Sequence, residues 1–394
     1  MKAMVRTLSY QAMAGEADSM EPFKNSISPS LVKLLSGHIR KNWPAFDEGV
    51  FLSEALDGLE GLELKARVDR VADGLLRHLP PEIKARSSIL RAVLHPQQGN
   101  SPEQTSDDTG MRGFAIWPLS LVAGRHGLDN LDVTLDLLKD MTKRFSSEFG
   151  IRYPLIHDQD RVLSIMSCWL DDPDPAVRRL VSEGTRPRLP WAQQLPRLIA
   201  DPTPALPLLH RLRDDPSEYV RRSVANHLND ISKDHPALVA DLAADWMKGA
   251  DDTRRKLIRH ACRSLIKAGN PDVLTVFGHA PPELSVEDIA VSPQRITLGE
   301  SIELSARIVS TAQVPQSLVI DYVARFLRAN GSFSEKVFKG SSIDLPPNGE
   351  ALFRKKIQVR PITTRRYYPG IQHLNLRING KDFGDALFDL HIPD

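Results

Sequence analysis

Along most of the first 278 residues, apolar positions recur at three- and four-residue spacings, the period of a helix with one buried face. Short turns rich in Asp, Pro and Gly separate these segments. In SPSLVKLLSGHIRKNW the pattern starts after Ser28, whose hydroxyl suits an N-cap, and in LDNLDVTLDLLKDMTKRFSSEF the leucines keep to one stripe. Alternation with period two is almost absent up to Gly278, so this region is expected to be all-α. From about Leu284 the pattern changes. SVEDIAVSPQRITLGESIELSARIVST and QSLVIDYVARFLRANGSFSEKVFKG alternate apolar and polar residues around Gly, Asn and Pro turns, which predicts strands. Roughly seven such runs over about a hundred residues suit an immunoglobulin-like β-sandwich without the cysteine pair of antibody domains. The proline pair in HAPPELS, residues 279–285, separates the two periodicities.

The helical region contains an internal repeat. DDPDPAVRRLVSEG and DDPSEYVRRSVANH place Asp172-Pro173 against Asp215-Pro216 and Val177-Arg178-Arg179 against Val220-Arg221-Arg222. Each interval is 43 residues, within the range of HEAT or armadillo units, whose paired helices stack into a superhelix. GADDTRRKLIRHACRSLIKAGNPDVL reads as a third, degenerate copy opened by Asp251-Asp252. The fold class is therefore a HEAT-like helical solenoid over 21–280 followed by an immunoglobulin-like sandwich over 284–394, with residues 1–20 an extension expected to be disordered.

A chain of 394 residues exceeds what one core usually supports, which agrees with two domains. No stretch approaches the ~18 apolar residues of a bilayer span. MKAMVRTLSYQAMAGEADS lacks the apolar core of a signal peptide, so the cytoplasm is the expected compartment. Cys168 and Cys262 lie far apart in helical patterns and are expected to be reduced, buried thiols, with no metal site. With a net charge of +1, binding to nucleic acid would have to come from local segregation of charge.

No Walker A loop, GxGxxG, HExxH, CxxC pair or GxSxG occurs, which removes weight from nucleotide hydrolysis, dinucleotide redox chemistry and zinc hydrolysis. A cluster of carboxylates, arginines and tryptophan remains between about 144 and 230. Arg144, Glu148 and Arg152 are spaced to share a helical face, as a surface salt-bridge ladder or as part of a site. In RRLVSEGTRPRLPW a helix is expected to end at Glu183-Gly184, with Gly184 a left-handed cap, and TRPRLPW to form an extended loop. That loop brings Arg186, Arg188 and Trp191 near Arg178, Arg179 and Glu183; the alternative is that Trp191 caps the core between repeats. Asn226, Asn229 and Asp230 interrupt an otherwise apolar helical face, and either face a groove or tie adjacent repeats together.

At these residues the chain resembles AlkC, the alkylpurine-DNA glycosylase family related to AlkD. EPFKNSISPSLVKLL, GLELKARV with Ala72-Asp73 after it, GFAIWPLSLVAGRHGLD, MTKRFSSEFGIR and RRSVANHLNDISKDHP carry the resemblance. They span roughly residues 21 to 236, and the sandwich is similar to the extension found in part of the family. Where the family usually reads EFAIRPF this chain reads EFGIRYP, with Gly150, Tyr153 and Pro154 as departures. The resemblance implies excision of cationic N-alkylated bases, 3-methyladenine foremost, from double-stranded DNA, without cofactor, by a monomer. It implies Glu148, Glu183, Trp191 and Asp230 as active-site residues, with Arg179 as helper.

The chemistry fits those residue types. A cationic base is already a good leaving group, so the oxocarbenium-like sugar is what needs stabilising, and carboxylates do that electrostatically. A carboxylate also orients or deprotonates the water that adds at C1′, and an indole face attracts a cation. Acidic side chains of neighbouring helical units are expected to meet Trp191 on the concave face. Arg144, Arg152, Arg178, Arg179, Arg186, Arg188, Arg221, Arg222 and Asn226 are expected to hold DNA there. Basic turns at Arg354-Lys355-Lys356 and Arg365-Arg366 are expected to close on the duplex from the sandwich. The competing readings are a non-catalytic HEAT scaffold, or an inactive relative that senses lesions.

Overall fold

In the computed structural model, which describes residues 23–99, 105–362 and 365–393, the helical pattern becomes sixteen α-helices from Pro29–Asn42 to Pro271–Val276. Residues 1–20 and Asp394 lie outside the described residues. Ser28 caps the first helix, its hydroxyl accepting the Leu31 N–H at 3.2 Å, and Val32, Leu35 and Ile39 form the buried stripe. None of the described helices is long and apolar enough to cross a membrane.

One device recurs through the helical region. An arginine at the fourth position of a helix folds back onto the carbonyls of the turn that opens it, groups that would otherwise be orphaned. In Leu64–His78, Arg67 Nε donates to Leu62 O at 2.9 Å, and in Ile83–Ala92, Arg86 Nη2 donates to Pro81 O at 2.6 Å. In Pro175–Gly184, Arg178 Nη1 donates to Asp172 O at 2.7 Å, and in Glu218–Ile231, Arg221 Nη1 donates to Pro216 O at 2.9 Å. In Asp252–Ala261, Arg255 Nε donates to Ala250 O at 3.0 Å. The repeated Asp-Pro turns also match, since Asp172 Oδ1 accepts the Asp174 N–H and Asp215 Oδ1 that of Ser217. Helix Glu218–Ile231 packs on Asp252–Ala261 while Pro236–Met247 packs on Pro271–Val276, the layer-on-layer stacking of HEAT units.

The chain forms two compact units, one up to Leu195 and one from Pro196 to Asp394, the second containing the last helices and the sandwich. The sandwich has eight strands: β1 (Leu284–Ser292), β2 (Arg295–Thr297), β3 (Ser301–Ser310), β4 (Gln316–Leu327), β5 (Phe333–Leu345), β6 (Glu350–Gln358), β7 (Gly370–Ile378) and β8 (Lys381–His391). Their order is β1-β3-β6 in one sheet and β2-β8-β7-β4-β5 in the other. Alternation buries Ile302, Leu304, Ala306 and Ile308 against Leu318, Ile320, Leu374, Leu376 and Phe388. Within the second unit, the cap Gly269 (φ 76°) lies against the turn between β7 and β8; a Cβ there would be 2.5 Å from Gly380 Cα. Asn379 Nδ2 completes the joint by donating to Ala280 O at 2.8 Å.

Several expectations are corrected. Arg144, Glu148 and Arg152 do not share a helix, because Leu131–Thr142 ends and Arg152–His157 begins across a turn, which Thr142 Oγ1 fixes by accepting the Ser147 N–H at 2.8 Å. Gly184 is not a left-handed cap: the helix runs through it to Thr185, whose hydroxyl donates to Val181 O at 2.6 Å and ends the run. Gly184 serves packing, since a Cβ would come within 2.7 Å of Ile151. Residues 186–195 are non-helical as expected, but folded into turns rather than extended, with the Leu195 N–H donating to Pro187 O at 3.1 Å. Cys262 is buried and its thiol pushed up to about 12 by burial, whereas Cys168 is exposed at the end of helix Gln159–Ser167. Arg354-Lys355-Lys356 is part of strand β6 and not a turn, placing Arg354 and Lys356 on its outward face.

The packing around Gly150 leaves no room for a Cβ. A Cβ there would run into Ser120 O, and one at Gly124 into Gly150 O, so the turn and helix Ile116–Arg125 cross through two glycines. Gly150→Ala is expected to cost about 1–3 kcal/mol, read from the urea midpoint.

Candidate active site

In the first unit the carboxylates are joined through arginine. Glu148 Oε2 accepts from Ser146 Oγ at 2.7 Å and from Arg179 Nη1 at 2.8 Å. Arg179 Nη2 lies 3.3 Å from Glu183 Oε1, which also accepts from Arg186 Nη1 at 2.6 Å. The Glu183 side chain is 6% exposed, and a carboxylate so withdrawn from water needs these partners. Two acids and two guanidinium groups thus form one array, fixed by the helix Pro175–Gly184 and the turns at either side of it.

Trp191 stands beside a column of rings. Its indole lies parallel to Trp117 within 6°, with centroids 6.2 Å apart, and Trp117 stacks on Phe149 at 4.1 Å. Phe149 directly follows Glu148 in the chain. Trp191 is 58% exposed and has φ 64°, so it does not cap a core between repeats. A bulky residue in the left-handed region costs about 1–3 kcal/mol, strain that persists where surrounding structure imposes it. Arg152 supplies part of that structure. Its side chain is 0% exposed and donates to the carbonyls of Gly184 (3.1 Å), Pro187 (3.5 Å) and Gln193, which bracket Trp191 in sequence.

In the second unit Asp230 is 3% exposed and lies 2.9 Å from Lys233 Nζ. Asn226 Oδ1 accepts from Arg263 Nη2 at 3.1 Å and from His260 Nε2 at 3.0 Å, and Asn229 Oδ1 accepts the Ser264 N–H at 3.3 Å. Asn226 and Asn229 therefore join neighbouring helices. Burial first, then the guanidinium groups of Arg263 and Arg222, push His260 down to about 4 from 6.5. The folded ring stays neutral where the unfolded one takes up a proton, so the stability it contributes is present above about pH 6.5 and lost as pH falls toward 4. The melting temperature is expected to fall across that window, and His260→Gln to flatten the fall; equal slopes in both proteins would contradict it.

The residues expected to hold DNA divide by what they touch. Arg152, fully buried, is a brace and offers no surface to a phosphate. Arg178 and Arg221 brace their turns, and Arg144 donates to His95 O at 2.8 Å and Asp140 O at 3.0 Å. Arg179 and Arg186 orient carboxylates, and Asn226 serves the helix contact. Arg188 and Arg222 are half-buried. Arg365 lies with its guanidinium 4.2 Å from the Phe326 ring centroid, and Arg366 is exposed, 5.5 Å from that of Tyr368. Sequence reasoning missed Ser146, Trp117 and Phe149. Trp117 sits in an apolar helical run where nothing local separates it from a core residue. Among the described residues no group of three or more His, Cys, Asp or Glu is placed to hold a metal ion.

Three of the matches to known proteins bear on the family of this chain. The family described as "Uncharacterised protein YhaZ, C-terminal Ig-like domain" matches residues 285–392. The chain is 35% identical to YhaZ of Bacillus subtilis (strain 168) over 364 residues, 92% of this chain and 97% of that protein. It also superposes on the Pseudomonas fluorescens alkylpurine DNA glycosylase AlkC, solved bound to DNA containing an abasic site analog. There the TM-score is 0.76 and the identity 34%, covering 94% of this chain and 100% of that one.

Proposed function

The chain belongs to the AlkC family, and on that premise we propose that it is a DNA glycosylase acting on duplex DNA, hydrolysing the N-glycosidic bond of cationic N-alkylated bases, 3-methyladenine foremost. The observation that carries this reading is the strained, exposed indole of Trp191, stacked through Trp117 on the residue that follows Glu148. A scaffold has no use for that strain, whereas a flat cation has a use for the open indole face.

In the proposed reaction the C1′–N bond breaks with its electron pair moving onto the ring nitrogen, so the cationic base departs neutral and needs no proton. Positive charge develops on the sugar. Glu148, Glu183 and Asp230, the carboxylates that the resemblance to the family implies, are assigned to stabilise it electrostatically, a fixed carboxylate being worth most where it does not have to reorganise. Water adds at C1′, and its proton passes to a carboxylate. Arg179 and Arg186 act through Glu148 and Glu183, holding them in place. Phosphate contacts fall to basic groups such as Arg188, Arg222 and Arg366, and weaken with salt.

The test is incubation of the purified protein with methylated DNA and chromatography of the released bases. Free 3-methyladenine is the expected product; intact methylated DNA would overturn the reading. Trp117→Ala is expected to raise KM with a smaller change in kcat, since it frees Trp191 without touching a carboxylate, and Trp117→Phe to restore most of the loss. Steady-state kinetics on a single-lesion duplex measure both.

A further inference from the structure

The sandwich holds a cleft of about 200 Å³ between β5 and β6, the edge strands of the two sheets. Its floor is aromatic. Tyr322 and Phe326 are buried there, Phe338 stacks on Tyr322 at 5.1 Å and 11°, and Tyr367 meets Phe326 edge-on at 5.3 Å. Its rim is cationic: Lys336, Lys356, Arg360 and Arg365 line it, and no Asp or Glu does. The whole chain balances 51 basic against 50 acidic residues, so four to none is a local segregation of charge. Among the described residues none of these four makes an ion pair, and Lys336 and Arg365 instead lie over rings, 5.7 Å from Phe338 and 4.2 Å from Phe326.

An apolar floor with a few convergent polar groups is the usual form of a ligand site; at about 200 Å³, below the ~300–1,000 Å³ of pockets for drug-sized molecules, the cleft takes one planar ring system and leaves any attached charged group on the rim outside it. The rings select something flat, and the rim selects an anion. We infer that the cleft binds a single nucleotide unit, its base against Phe338 and its phosphate on the Lys336, Arg360 and Arg365 rim. The unit comes either from a free mononucleotide or from an unpaired stretch of DNA. None of the carboxylates proposed for excision is among the residues lining it.

Calorimetric titration of the full chain with dAMP, deoxyadenosine and inorganic phosphate tests it. No alkylated base is present, so the outcome stands whether or not the protein excises bases. dAMP is expected to bind about tenfold tighter than either fragment, and Lys336→Glu or Arg360→Glu to weaken it about tenfold. Both substitutions lie on the exposed rim, Arg360 beyond the end of β6, and their melting curves verify the fold. A single-stranded deoxyadenosine octamer that binds tighter than dAMP, and loses that gain in Lys336→Glu, identifies DNA as the source; an octamer with no gain that depends on Lys336 identifies a free nucleotide. Binding of dAMP no tighter than phosphate, or unchanged in both charge-reversed variants, would overturn the inference.

Discussion

Asp230→Asn is expected to lower the single-turnover rate of base excision by about 10²–10³-fold while leaving the fold intact, the cost of removing one preorganised electrostatic group. The substitution keeps the shape of a side chain that is 3% exposed and removes its charge. Stability changes little because Lys233, the cation 2.9 Å away, has a side chain 47% exposed and is screened by water when its partner is neutralised. The rate changes much, because the developing sugar cation has lost a fixed counter-charge. Equal rates in Asp230→Asn and wild type would assign this carboxylate to the fold alone.

Arg152→Ala is expected to cost about 3 kcal/mol or more, since the buried carbonyls of Gly184 and Pro187, and the carbonyl of Gln193 beside them in the chain, then lack this donor and desolvation of an unpaired polar group is expensive. Arg152→Lys should not restore it, because an ammonium is a point charge and cannot serve three carbonyls from one planar fork. The effect is also local: the turns carrying Trp191 lose the brace beneath them, so trypsin is expected to cut faster after Arg188 and excision to fall with stability. Guanidinium denaturation and timed proteolysis measure the two. Unchanged stability would mean that the carbonyls find other donors.

Much of the fold was legible because its signals are local. The stripe after Ser28, the 43-residue Asp-Pro and Val-Arg-Arg interval and the alternation of β3 each predict what forms. Placing Arg144, Glu148 and Arg152 on one helix failed because the spacing fits a helix while the Thr142 bond to Ser147 and the glycine crossing at Gly150 break it. The roles of the arginines were hidden by geometry. Successive helical residues point about 100° apart, so Arg178 turns back to Asp172 while Arg179 reaches Glu148. Composition counts both as cations free to hold phosphate. The aromatic column was not legible at all, because Trp117 and Trp191 lie 74 residues apart and their stacking comes from tertiary packing.

Whether these carboxylates favour positive charge at the sugar is tested most directly by comparing two abasic duplexes, one with a cationic pyrrolidine and one with a neutral tetrahydrofuran in place of the sugar. The wild-type protein should bind the cationic duplex about tenfold tighter or more, as expected of a mimic nearer the transition state. Glu148→Gln and Asp230→Asn should erase that preference. Equal affinity for the two duplexes in the wild type would contradict it.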